Sequence, residues 1–544
     1  MPEYLSPGVY VEEISTGAKP IEGVGTSTAG FLGATERGPE PPRLITSWLE
    51  FQRWYGGYVP DKSYLSYAVQ GFFDNGGQRC FIGRVASQAA KATTGKLDKL
   101  NVWAGGRGAW GNRLLVKVED ATINPNPGQS NPWFKLTVLY YDQAYPEVFN
   151  ADGTLAADFV DPTSTKPEDL TSKKRREPTV PEVFDNLTHK VGAANNAETI
   201  INSSSHLVRV FWDTDSDRPS NSGFAVVGSG GDDGKDTNGN PVPLGVPDFE
   251  GNPDLVGGSA DTHEVLGRGC GLAAMETVDE VALLAVPDEV ISGLGAITDK
   301  VINQCEILKD RFALIATLQG KSNVTTLPSR RDTSYAAFYY PWIQIFDVST
   351  NSTRLIPPTG HVAGIIARTD IERGVHKAPA NEVVRGAQNL EFPVTKGMQD
   401  MLNPKGVNCM RDFRANGRGI RLWGARTMSS DGEWKYVNVR RLFIFVEESI
   451  DEGTQWVVFE PNYEATWARV VRSITNFLIR VWRSGALAGI TQDEAFFVKC
   501  DRTTMTQDDI DNGRLICYIG IAPVKPAEFV IFRISQKTIE AAAT

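Results

Sequence analysis

The chain has 544 residues, enough for three or four domains at about 150 each, and 41% hydrophobic, 22% charged and 10% aromatic residues exclude a disordered or fibrous protein. Lys and Arg total 55 against 66 Asp and Glu, a net charge of -11 that argues against a broad nucleic-acid surface.

The first residues, MPEYLSPGVYVEEIS, have no basic stretch ahead of an apolar one, and nowhere do about 18 uncharged apolar residues run together. Synthesis in the cytosol without membrane insertion is expected. Cys80, Cys270, Cys305, Cys409, Cys500 and Cys517 form no CxxC pair and sit mostly among apolar residues, as buried reduced thiols do.

In chain order, an extended arm (Gly8 to Ile14) and a Gly/Pro linker occupy residues 1–25. Residues 26–104 read as α/β. Tyr64, Ala68, Phe72 and Leu65, Val69, Phe73 recur at helical spacing over Tyr64 to Asn75, Gly76 and Gly77 stop the helix, and Cys80 to Val85 makes a strand. Residues 105–262 carry short apolar runs (LLVKVED, FKLTVLYY, HLVRVFW) between Pro/Asn/Asp/Gly loops, the pattern of an inserted β-rich domain with an exposed, mobile loop near 213–254. Helix and strand alternate again over 263–357, as in βαβ layering. Residues 358–544 hold several helices and close on two apolar strands, Leu515 to Ala522 and Glu528 to Ile534. The fold class is therefore α/β (α+β) and multidomain.

The catalytic motifs fail on inspection. Gly106, Gly108 and Gly111 satisfy G-x-G-x-x-G, but a strand follows where a dinucleotide site requires a helix N-terminus. Gly320-Lys321-Ser322 imitates the end of a phosphate loop, yet Ile315 stands where its first glycine belongs. Asp232, Asp233, Asp236 and Asn238 miss the spacing of a calcium loop. His189, His206, His263, His361 and His376 include no H-E-x-x-H pair and no Cys/His ligand spacing. No catalytic residue, cofactor or metal is expected. The competing readings are an α/β nucleotide-binding enzyme and a β-rich surface-binding protein.

YLSPGVYVEE (Tyr4 to Glu13), GFLGATERGP (Gly30 to Pro39), FFDNGGQRCFIGRV (Phe72 to Val85), RGAWGN (Arg107 to Asn112), YYPWIQIFD (Tyr339 to Asp347) and PPTGHVAGIIARTDIERGVHKAPAN (Pro357 to Asn381) follow one another along the chain. NPKGVNCMR (Asn403 to Arg411), GIRLWGARTM (Gly419 to Met428), YVNVRRL (Tyr436 to Leu442) and FEPNYEATWARV (Phe459 to Val470) come after them. In this order they resemble the contractile tail sheath proteins of phages and phage-tail-like injection particles, over roughly residues 1 to 112 and 263 to 544. The resemblance implies an inner domain made from both chain termini, exchangeable terminal strands and an outward-facing inserted domain. It implies six-membered rings stacked helically around an inner tube, and contraction that drives the tube through a target membrane. The implied partners are further copies of the chain, the inner tube protein, and baseplate and terminator or cap proteins, with no direct nucleic-acid contact. The particle would be a phage tail or a released or membrane-anchored device.

Two features at the ends of the chain fit such a role. The arm residues Val9, Tyr10, Val11 and Glu12 and the terminal residues Phe529, Val530, Ile531 and Phe532 favour strands but have no obvious neighbour in sequence, so they pair either within the chain or, as the resemblance favours, with another subunit. A helix from Asn462 to Ser484 places Arg469, Arg472, Arg480 and Arg483 within about 80° of one another, with Asn476 among them, opposite Trp467, Val470, Val471, Ile474, Phe477, Leu478 and Val481. That stripe either grips an acidic inner tube or neighbouring subunit, or is a solvated face or an intrachain ion-pair set.

Overall fold

Why so many strands carry no polar alternation becomes clear once they are paired: the main sheet is parallel at its centre and covered on both faces. The computed structural model describes residues 20–59, 62–212, 217–235, 239–253, 269–327 and 331–533. The chain falls into two units, one made of residues 25–373 and 378–440 and a smaller one made of residues 1–24, 374–377 and 441–544.

In the larger unit a nine-stranded sheet runs in the order Glu382–Val383, Ile420–Leu422, Val407–Asp412, Ala336–Tyr340, Phe312–Ala316, Leu283–Ala285, Ala29–Gly33, Cys80–Arg84 and Arg43–Ile45. The six central strands are parallel and the strands at either margin antiparallel. Ala29–Gly33, Phe312–Ala316 and Ala336–Tyr340 are buried at every position, which requires the near-continuous apolar runs seen in their sequences. The expected alternation is present: helix Gly271–Met275 precedes strand Leu283–Ala285, and helix Ile297–Leu308 precedes Phe312–Ala316.

Helix Leu65–Asp74, one residue shorter at each end than expected, packs on helix Thr359–Arg373 almost backbone to backbone. A Cβ on Gly360 would lie 2.2 Å from the Ala68 carbonyl oxygen, and one on Gly364 would lie 2.4 Å from that of Phe72. His361 is enclosed in this contact, and burial pushes its imidazole down to about 4. The motif around Gly360 is thus packing chemistry.

The β-rich segments form a three-stranded sheet (Thr94–Leu97, Leu100–Ala104, Val208–Trp212) and a four-stranded sheet (Ala225–Val226, Leu114–Asp120, Phe134–Tyr140, Val180–Leu187). Alternate residues of both, including Leu100, Val102, Val116, Val118, Leu136, Val138, Val208 and Val210, share one core. The stretch expected to be a mobile loop takes regular structure in places. Ala225–Val226 pairs with Val116 and Leu115, and Val246–Glu250 is a helix that buries Phe249. Short apolar anchors among glycines and aspartates are enough to pin it.

The glycine near-miss has a structural explanation. Ala109–Arg113 is a 3-10 turn leading into strand Leu114–Asp120, and a Cβ on Gly106 would lie 2.0 Å from the Gly38 carbonyl oxygen. Beside it, Arg107 donates from Nε to both oxygens of Glu40 (2.9 and 2.8 Å), and Arg84 Nη1 lies 3.7 Å from the same carboxylate. All three side chains are buried, so Glu40, the residue after GATERGP, and Arg107 of RGAWGN supply an ionic joint between the main sheet and the start of the β-rich region. Asp232 is committed to Lys235 and the Gly234 amide, and Asp233 accepts from the Ala109 amide; Asp236 and Asn238 lie outside the described residues.

The smaller unit draws on both ends of the chain. Its core joins Ile21 and Val375 to Leu442 and Val446 of helix Val437–Thr454, to Val470, Ile474, Phe477 and Leu478 of helix Glu464–Arg483, and to Leu487 and Phe496. Ile21 is fully buried because Gly453 leaves it room: a Cβ there would lie 2.7 Å from its side chain. The Val24 amide donates to Ser449 Oγ at 3.1 Å, and Arg480 donates to the Ile21 carbonyl.

Candidate functional site: an assembly surface

The smaller unit contains one sheet among its described residues, an antiparallel ribbon of Phe496–Lys499 and Tyr518–Ile521, with Phe496 opposite Ile521 and Lys499 opposite Tyr518. Each strand keeps one edge without a strand partner among the described residues. A two-stranded ribbon is marginal alone, and helix Glu464–Arg483 supports this one through Phe496, buried in the shared core. Phe497 and Tyr518 stand exposed on its other side.

Of the strand expected from Glu528 to Ile534, the described residues 528–533 form none within the chain, and Ile534 lies outside the described residues. Phe529, Val530, Ile531 and Phe532 lie in no strand, and their side chains are 67–82% exposed. The physical reason is that no strand among the described residues runs beside them, so their propensity has nothing to act on. Val9, Tyr10, Val11 and Glu12 lie outside the described residues.

Helix Glu464–Arg483 keeps the expected two faces. Trp467, Val470, Ile474, Phe477, Leu478 and Val481 are buried, whereas Arg472, Asn476, Arg480 and Arg483 are exposed. The arginines do not act alike. Arg469 is half-buried, bonds Glu460 at 2.7 Å and covers the Trp456 ring at 5.1 Å, and Arg480 is held by the Ile21 carbonyl. Arg472 and Arg483 make no hydrogen bond or ion pair among the described residues. The stripe is therefore part anchor and part unpaired charge.

Sequence reasoning missed Phe459. It holds a left-handed backbone (φ 68°) with a fully exposed ring, between Trp456 and the Glu460 that binds Arg469. Such a φ costs a bulky residue about 1–2 kcal/mol, so the loop presents the ring at a cost in stability. Ile21 was also missed; its signal is a lone apolar residue in a Gly/Pro linker.

Comparison with known proteins completes the assignment. The family model for the phage tail sheath protein central domain matches residues 251–428, and that for the phage tail sheath C-terminal domain matches residues 429–537. The tail sheath protein of Burkholderia phage BcepMu is 29% identical over 189 residues, covering 32% of this chain and 38% of the relative. The matched segments span less than half the length of the curated relatives. Two solved structures share the fold over nearly the whole chain. They are the helical sheath of the anti-feeding prophage in its contracted state (TM-score 0.55, 23% identity, 98% of this chain and 99% of that one) and the contracted PVC sheath complex of an extracellular contractile injection system (0.56, 21%, 99% and 100%).

The mixed α/β fold with several sheets matches these sheath structures. The chain belongs to the contractile tail sheath family and is a structural sheath subunit of a contractile tail or injection system. Among the described residues no helix is long and apolar enough to cross a membrane.

Proposed function

We propose that this chain polymerises into stacked six-membered rings around an inner tube and contracts to drive that tube through a target membrane. The observation that carries this reading is the pairing of an open-edged ribbon with an exposed apolar terminus in one small unit. Phe529–Phe532 from one subunit, and the arm Val9–Glu12, add to the ribbon of the next. Main-chain hydrogen bonds supply about 1 kcal/mol each, and alternate side chains fix the register. A heterologous contact of this kind repeats into an open helix. Because the terminal segments are tethers, rigid units can rotate during contraction without releasing one another.

Arg472 and Arg483 face an acidic partner, the inner tube protein, while Arg469 and Arg480 hold the surrounding loop and linker in place. Baseplate and terminator proteins complete the particle. The related particles are described as a helical sheath and a sheath complex in contracted states, which supports the reading.

Electron microscopy of the purified chain, alone and with its tube protein, tests the proposal. Hollow striated tubes are expected from the unaltered chain and only folded, unassembled subunits from Phe529→Asp/Ile531→Asp. Normal tubes from that variant would overturn the role of the terminal strand.

A further inference from the structure

The ribbon carries a cysteine at each of two matching positions. Its last register partners are Lys499 and Tyr518, so one further step sets Cys500 opposite Cys517. Opposite residues of an antiparallel pair project from the same face, and successive pairs alternate between a hydrogen-bonded type and a closer, non-hydrogen-bonded type. Ala522 donates to the Ala495 carbonyl at 2.9 Å, which makes Ala495–Ala522 a hydrogen-bonded pair. By alternation Phe497–Gly520 and Lys499–Tyr518 are of the same type. Phe496–Ile521, Val498–Ile519 and Cys500–Cys517 are of the closer type, whose Cα separation of about 4.5 Å suits a disulfide.

The side chains agree with this placement. The two thiols share a hydrogen bond, and both belong to the apolar cluster around Trp467 and Met505. Cys500 is buried, whereas Cys517 is partly exposed and open to a small reagent. Cys80, Cys270, Cys305 and Cys409 are all buried; Cys80 lies opposite Ala29 and Ile45 in its sheet, and Cys409 opposite Tyr340.

We propose that Cys500 and Cys517 form a redox-controlled cross-strand disulfide, open in a reducing compartment and closed by exchange with a low-molecular-weight disulfide in an oxidising one. The Cys517 thiolate attacks one sulfur of the small disulfide and expels a thiol. The Cys500 thiolate then attacks the Cys517 sulfur of the mixed disulfide and expels the second thiol. The protein loses two protons and two electrons, and the small disulfide takes them up to become two thiols. The bond staples the ribbon at its base, on the strand that leads to the exposed terminal segment. Burial pushes the Cys500 thiol up to about 12 and raises that of Cys517, so thiolate is scarce at neutral pH and closure is slow.

The test is incubation of the full native chain with oxidised glutathione, followed by alkylation and peptide mass mapping. A cross-link joining the Cys500 and Cys517 peptides is expected, with the mass of two hydrogens lost. It should be absent from Cys500→Ser and Cys517→Ser, form about tenfold faster for each unit by which the pH is raised while it stays below the thiol titration, and open again with dithiothreitol. Two results would overturn the proposal: both thiols of the native chain staying alkylatable after prolonged oxidation that cross-links the urea-unfolded chain, or a stable glutathione adduct on Cys517 that never resolves into the cross-link.

Discussion

The nine-stranded sheet and the two-stranded ribbon treat their edges in opposite ways. The large sheet ends in strands of three and two residues, Arg43–Ile45 and Glu382–Val383, too short to template another chain. At the first of these margins Arg43 lies over the Trp54 ring at 3.4 Å. Among the described residues the ribbon instead has open edges, exposed aromatic residues and an apolar terminal segment with no strand beside it. Among the described residues the larger unit thus keeps its sheet margins short, whereas the smaller one leaves its ribbon edges open, and a departure from local rules of this kind is what the proposed assembly role would require.

If the larger unit is self-sufficient, damage inside it should cost folding before it touches assembly. The largest effect is expected at the ionic joint. Glu40→Ala leaves Arg107 and Arg84 as buried cations with no carboxylate between them, and breaking such a pair costs about 3–5 kcal/mol. Urea unfolding of the purified subunit should show that loss; a change within about 0.5 kcal/mol would mean that solvent reaches the joint.

Next comes a pair of opposed pH effects in the same unit. His361 is held at about 4 by burial, below its unfolded value of 6.5, so only the unfolded chain gains a proton between those values. Its contribution is fully present above pH 6.5 and is lost towards pH 4, by about 3 kcal/mol. Asp288 is buried and raised from 3.8 to about 6, while it accepts from Ser63 Oγ and the Tyr64 amide (both 2.7 Å). Between those values the folded chain holds the extra proton, so acidification stabilises it by about 3 kcal/mol. The two nearly cancel in the unaltered protein. His361→Gln should gain stability between pH 7 and about pH 4.5 and Asp288→Asn should lose it; parallel pH profiles for both variants would remove the two groups from the account.

How much of this was legible in advance depends on the range of the interaction. Helices Leu65–Asp74 and Glu464–Arg483 lie within two residues of their expected bounds, since apolar spacing is a local signal. The parallel strands showed themselves as continuous apolar runs. The joint could not be read, because Glu40 and Arg107 are 67 positions apart and meet only after the sheet forms. For the same reason the arginine stripe looked uniform: the carbonyl that holds Arg480 belongs to Ile21, 459 positions away. Phe529–Phe532 form no strand within the chain because propensity names a strand without naming its partner.

The smallest expected effect on folding falls on the stripe, and it sharpens the comparison most. Arg472 and Arg483 are exposed and without partners among the described residues, so reversing both to Glu removes no intrachain bond and should change folding by less than about 0.5 kcal/mol. Each exposed pair with an acidic partner is worth only about 0–1 kcal/mol, but a polymer repeats it at every subunit, and salt weakens it. Tube-templated assembly should therefore fall sharply in Arg472→Glu/Arg483→Glu, and in the unaltered chain it should weaken as salt rises. Reversing Arg469 instead should destabilise the monomer, because that change sets Glu against Glu460 and strips the Trp456 ring. Sedimentation of assembled material separates the two classes. Equal loss of assembly in both variants with an unchanged monomer melt would show that Arg469, Arg472 and Arg483 form one binding stripe after all.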